Sequence, residues 1–157
     1  KIVAKTGWRT DNLNDAIKNE LGEEKFDLVS LLIGVNNLYQ GKSINVYEKE
    51  FKELLKVAIK KSKTGKNGVF VLSIPDYGQT PFGESKAKAI GQSIDVWNET
   101  CRSICEESGV IFFDITGISR LGLEQSDLVA EDGLHPSGKQ YGLWVEEIYE
   151  YVVNKIN

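Results

Sequence analysis

Apolar residues fall into two kinds of pattern along this chain. Short, mostly apolar runs occur at Ile2 to Ala4, Phe26 to Ile33, Val69 to Ile74 and Val110 to Ile115, each near the length of a strand buried in a parallel sheet. Between these runs the apolar positions recur at helical spacing. The stretch "DNLNDAIKNEL" follows Thr10, which predicts Thr10 as the N-cap of a first helix. Next, "INVYEKEFKELLKVAIKK" follows Ser43 and places Tyr47, Phe51, Leu54, Leu55, Ala58 and Ile59 on one stripe. A third helix is predicted from about Glu84 to Ser108, with Ile90, Ile94, Trp97, Cys101, Ile104 and Cys105 facing inward and Gly109 stopping it. A last helix follows Ser137, with Tyr141, Trp144, Val145, Ile148 and Val152 at matching spacing.

Strand and helix alternate with no hairpin dipeptide between adjacent strands, the pattern of an α/β layer fold with a parallel sheet. Such a sheet places its chemistry beyond the carboxyl ends of its strands. No internal repeat, low-complexity segment or linker divides residues 1–157, which read as one domain. The loop "PDYGQTPFGES" holds two of the three prolines and reads as a functional loop within that domain.

Composition narrows the function. With 41% hydrophobic residues the 157-residue chain can bury a single core. Its formal charge of -4, and the lack of a basic stripe, argue against a nucleic-acid partner. The densest cationic stretch, Lys56 to Lys66, ends a helix, where positive side chains suit the macrodipole. No apolar run is long enough for a membrane span, and no signal peptide opens the chain. Compartment and oligomeric state stay open. Cys101 and Cys105 lie four apart on one predicted helix, so buried thiols are expected rather than a disulfide. One histidine and two helical cysteines make no zinc set, and neither metal nor cofactor is expected. The chain has no methionine and opens on Lys1 within an apolar run; an upstream segment is therefore expected.

Strand ends select the candidate chemistry. After the first run comes "KTGWRT" with Gly7, after the second "GVNN" with Asn36, after the third "PDYG", and the last leads to "DGLHPSG". An activated hydroxyl nucleophile needs a base such as imidazole, and a carboxylate on the far ring nitrogen fixes the tautomer. Asp132 and His135, with two residues between them, can meet across one turn. The Gly7 N–H and the Asn36 carboxamide can donate to an oxygen gaining charge as a carbonyl carbon becomes tetrahedral. Each residue also has a plainer reading: the histidine as a surface or capping residue, the asparagines and Gly7 as turn formers. Trp8, Tyr39, Tyr77 and Phe82 fall in loops at the same edge and are candidates to line a substrate pocket.

Taken together these segments resemble the SGNH hydrolases of the GDSL esterase/lipase superfamily over essentially all 157 residues. "AKTGWRTDNL" resembles the second family block, "LLIGVNNLY" the third, Gly-x-Asn-Asp, and "DGLHPSGKQYG" the Asp-x-x-His block. The resemblance implies a flavodoxin-like three-layer α/β/α sandwich. It implies a serine esterase or acylhydrolase acting on small-molecule esters, such as acyl groups on sugars or lipids. It also implies Gly7 and Asn36 as oxyanion donors, His135 as general base and Asp132 as its orienter. Two positions depart from the family. Asn37 stands where the family commonly has Asp, and the nucleophile block Gly-Asp-Ser is not found. That block, with the central first strand, is expected upstream of Lys1. An inactive SGNH-fold ligand-binding domain is the alternative. A flavodoxin-like nucleotide-binding or signalling domain would need a phosphate-cradling glycine loop or an acidic cluster, and neither is visible.

Overall fold

Three of the four apolar runs pair with one another. In the computed structural model, which describes residues 1–156, β1 (Val29–Leu31), β2 (Val69–Leu72) and β3 (Ile111–Phe113) form a parallel sheet in the order β1-β2-β3. Val29 lies opposite Val69, and Val71 opposite Phe112. Parallel pairing requires crossovers. The helix α1 (Thr10–Glu20) precedes the sheet, α2 (Val35–Tyr39) and α3 (Ile44–Lys61) join β1 to β2, and α4 (Ala87–Ser108) joins β2 to β3. Two helices follow, α5 (Thr116–Ser119) and α6 (Gly138–Ile156). Among the described residues no helix is long and apolar enough to cross a membrane.

Side chains alternate across the sheet, so each strand serves two layers. Leu31, Val69 and Val71 pack into one core with α3 and α4. On the other face Phe70 and Phe113 meet Tyr151 of α6, with ring centroids 5.9 and 5.5 Å apart. The predicted stripe of α3 is buried at Tyr47, Phe51, Leu54, Leu55 and Ala58, with Ile59 half-buried. Tyr47 stacks near Trp97 of α4 at 4.7 Å. Ser43 caps α3 by accepting from the Val46 N–H. Cys101 and Cys105 are free and buried, as their helical spacing predicts.

Four local expectations are corrected. Ile2 to Ala4 forms no strand among the described residues, none of which gives it a ladder partner, and an apolar run without a hydrogen-bonded neighbour is not a sheet element. The strands are shorter than the apolar runs, since Phe26 makes only a lone bridge to Ser62 and the runs continue past the point where the ladders end. Thr10 is the first residue of α1 rather than its cap. Its hydroxyl donates to Glu50 and accepts from Asn37, while the Asn12 side chain accepts from the Arg9 N–H at 3.1 Å. On α6, Trp144 is buried and Ile148 and Val152 are half-buried, but Tyr141 and Val145 are exposed and Gln140 is buried instead. The Gln140 carboxamide donates to the Leu128 carbonyl at 2.9 Å, which turns that edge of the helix inward.

The end of β2 is held by a side chain from α4. The Asn98 oxygen accepts from the Ile74 N–H at 2.7 Å, and its NH₂ donates to the Ile74 carbonyl and to the Thr116 hydroxyl. Asn98→Leu keeps the volume but orphans the buried Ile74 N–H, a loss of about 1–3 kcal/mol. Denaturant unfolding of the variant is expected to show that loss as a lower midpoint with an unchanged slope.

Candidate active site

Two loops carry the candidate hydrogen-bond donors. Gly7 has φ +81°, and its N–H has no acceptor among the described residues. Its carbonyl faces the other way, accepting from the Gln40 carboxamide at 3.2 Å. The second loop leaves β1 through Gly34, at φ +133°, where a Cβ would lie 2.7 Å from both Ile74 and Tyr47. Only glycine admits that path. It leads into α2, a short helix where the sequence suggests only a turn, and Asn36 lies in its first turn. The Asn36 NH₂ donates one hydrogen to the Trp8 carbonyl at 3.1 Å, leaving its second for another acceptor. Asn37 is buried and bonds Thr10 through both ends of its carboxamide.

The Asp132–His135 turn closes on itself. One oxygen of Asp132 accepts from the backbone N–H groups of Leu134 and His135, both at 2.9 Å, and the other lies 2.6 Å from His135 Nδ1. The backbone N–H of His135 first, then that of Leu134 and the ring contact, hold the Asp132 carboxyl down at about 2. Asp132 is therefore ionised at neutral pH and holds Nδ1, which leaves Nε2 for a reacting group. The turn is anchored by Ala130 donating to the His135 carbonyl at 2.8 Å, and by the Phe82 N–H donating to the Gly133 carbonyl at 3.0 Å.

These loops surround one cavity of about 450 Å³. Gly7, Asn36 and His135 all border it, and Asp132 reaches it through the imidazole. Trp8, Tyr39, Tyr77 and Phe82 border it as well. Tyr39 meets Tyr77 edge-on at 5.9 Å and Phe82 at 6.1 Å, and both Tyr39 and Phe82 are more than half exposed. Asp76, Ser119 and Trp144 also border the cavity, though the sequence did not single them out for the site. Buried Asp76 is paired with Arg120, its Oδ2 2.9 Å from Nε, and Arg120 also bonds Asp95. That pair is 44 residues apart, with no local signal to find it.

Several hydroxyls and one thiol of the fold have other engagements. Ser73 is fully buried and bonded to Asp114, Ile115 and Thr116. Ser119 donates to the Thr116 carbonyl and accepts from Asp76 N–H, and Ser137 donates to the Asp127 carbonyl. Hydrogen bonding to Cys105 and burial push the Cys101 thiol well up, away from nucleophilic use. Among the described residues none donates a hydroxyl hydrogen to the His135 ring.

Comparison with known proteins agrees with this architecture. The model of the GDSL-like Lipase/Acylhydrolase family matches residues 1–143. No curated protein matches the sequence. Among solved structures, the chain is similar to an α/β hydrolase enzyme from the metagenome of Lake Arreo, Spain. The two are 20% identical with a TM-score of 0.72, over 96% of this chain and 70% of that one. It is similar to an acetylxylan esterase from Geobacillus stearothermophilus, at 20% identity and a TM-score of 0.70, over 90% of this chain and 68% of that one. A GDSL-like lipase from Bacteroides thetaiotaomicron gives 16% identity and a TM-score of 0.66, over 94% and 72%. These structures share the fold, and the match to the family model extends over all three strands and both loops that carry the candidate donors. The chain belongs to the GDSL-like lipase/acylhydrolase family.

Proposed function

We propose that this domain hydrolyses carboxylic esters of small molecules through an acyl-enzyme, with Gly7 and Asn36 as oxyanion donors, His135 as general base and Asp132 as its orienter. The observation that carries the reading is the shared cavity: an imidazole oriented by a carboxylate and two free hydrogen-bond donors border the same space. A serine oxygen attacks the ester carbon while His135 Nε2 takes its proton, and the carbonyl oxygen becomes an anion held by Gly7 and Asn36. The carbon–oxygen bond to the alcohol then breaks, and His135 returns the proton to the departing alkoxide. Water attacks the acyl-serine with the same base, releases the acid and restores the serine.

The nucleophile belongs, in this reading, to a segment that pairs with the outer edge of β1. That edge bears backbone groups without a ladder partner, and an apolar groove lined by Val3, Leu13, Ile17, Val29 and Leu31 runs beside it. A strand added there would end at the edge where the donor loops lie.

The aromatic rim supports a substrate class. In the part of the cavity that the added segment leaves open, Tyr39 and Phe82 suit a short acyl group attached to an alcohol that can stack on them. The acetylxylan esterase that shares this fold acts, by its name, on an ester of that kind. The rim alone also fits a second reading, a domain that binds such a ligand without turnover.

Hydrolysis of p-nitrophenyl acetate by the intact protein separates the two readings. His135→Ala is expected to abolish turnover while the unfolding midpoint stays near that of the parent; unchanged turnover removes the general-base role. For Asp132→Asn the expected loss in kcat is roughly 10²- to 10⁴-fold. Because the Asp132 carboxyl is held at about 2, its charge is lost only as pH falls through that value. The parent's kcat/KM profile should therefore show no Asp132 inflection between pH 4 and 8. Phe82→Ala is expected to raise KM about 2- to 10-fold, the worth of one aromatic contact, with kcat little changed.

A further inference from the structure

Asn37 is the one family-block position left without a task, and its surroundings assign one. Its side chain is buried, with the carboxamide oxygen accepting from the Thr10 N–H at 3.0 Å and the NH₂ donating to Thr10 Oγ1 at 2.6 Å. Thr10 Oγ1 spends its own hydrogen on Glu50 of α3. Donor and acceptor alternate along this chain of bonds, from the Asn37 NH₂ through Thr10 Oγ1 to Glu50. Asn37 adjoins Asn36, and Thr10, the first residue of α1, follows Gly7 by three residues. The contact therefore ties one candidate oxyanion donor to the other, and Glu50 ties both to a core helix.

We propose that Asn37, Thr10 and Glu50 form a hydrogen-bond relay that sets the spacing between the Gly7 N–H and the Asn36 carboxamide, making Asn37 and Glu50 a matched pair of positioning residues. The proposal rests on the reading of Gly7 and Asn36 as oxyanion donors. A carboxylate in place of the Asn37 carboxamide could still accept from the Thr10 N–H. Its second oxygen would then compete with Glu50 for the single Thr10 hydroxyl hydrogen, and two carboxylates would flank one oxygen atom. Changing Glu50 to Gln at the same time removes the second charge. It also lets the relay run in the opposite sense, with an amide donating to Thr10 and Thr10 donating onward. The residue common in the family at position 37 would thus be compatible with this fold only when position 50 is neutral.

The test reads the donors directly and activity separately. In ¹H–¹⁵N spectra of the intact protein, Asn37→Asp is expected to displace both the Gly7 amide and the Asn36 NH₂ resonances. It should also lower kcat roughly ten- to hundred-fold, with KM changed less than about three-fold. Adding Glu50→Gln should return both resonances toward their original positions and recover most of the lost kcat. If the double variant shows only the sum of the two single effects, or if Asn37→Asp leaves both resonances in place, the relay is overturned. Should Asn37→Asp fail to fold, Thr10→Val should displace the same resonances and Thr10→Ser should not; equal behaviour of those two variants overturns it as well. Rescue of the resonances in a protein with no esterase activity supports the relay and counts against the ester-hydrolase reading alone.

Discussion

β2 is the strand on which the site depends. Its residues are hydrogen-bonded to β1 on one side and β3 on the other, and Val69 and Val71 are fully buried. Because all three strands run parallel, their carboxyl ends lie at one edge. The segment after β1 carries Asn36, the one after β2 carries Tyr77 and Phe82, and the one after β3 leads to Asp132 and His135. Register, not loop sequence, brings those segments to the same place. A slip by one residue would turn every apolar side chain of β2 to the wrong layer.

Convergence alone leaves loops free to wander, and buried polar contacts remove that freedom. Asn98 fastens the end of β2 to α4 and to Thr116. Asp76, almost wholly buried, pins the next loop to Arg120. The Phe82 N–H grips the Gly133 carbonyl beside the dyad, and Asn37 holds Thr10 beside the Gly7 turn. Each bond contributes modestly when made, but its buried partner is costly when left alone. The loops that carry the candidate site residues are thus held more by penalties against opening than by attraction, with the candidate donors bordering one cavity.

Patterning explains what the sequence reveals and what it hides. The α3 stripe from Tyr47 to Ala58 is legible because a 3.6-residue period marks the side facing the core. The strand-end rule places Asn36 and His135 at one edge, and both border one cavity; Gly7 borders it too, although the run that precedes it pairs with no described strand. Ile2 to Ala4 misleads because apolarity signals burial, whereas a strand also needs a neighbour. On α6, two adjacent stripes are apolar, so periodicity could not tell that Tyr141 and Val145 face outward. The Asn98, Asp76 and Asn37 contacts join residues 18 to 44 positions apart, and nothing local in a polar side chain names its distant partner.

In the proposed reaction one ester carbonyl oxygen is held by both Gly7 and Asn36 while His135 faces the attacking oxygen. A crystal structure of the intact protein with a phenylboronic acid, a tetrahedral mimic of the intermediate, measures this directly. The expected result is a boron–serine bond, one boronate oxygen about 2.7–3.1 Å from both Gly7 N and Asn36 Nδ2, and His135 Nε2 within hydrogen-bond reach of the serine oxygen. A boronate bound outside this cavity, or one bound within it with its oxygens turned away from both donors, would contradict the account.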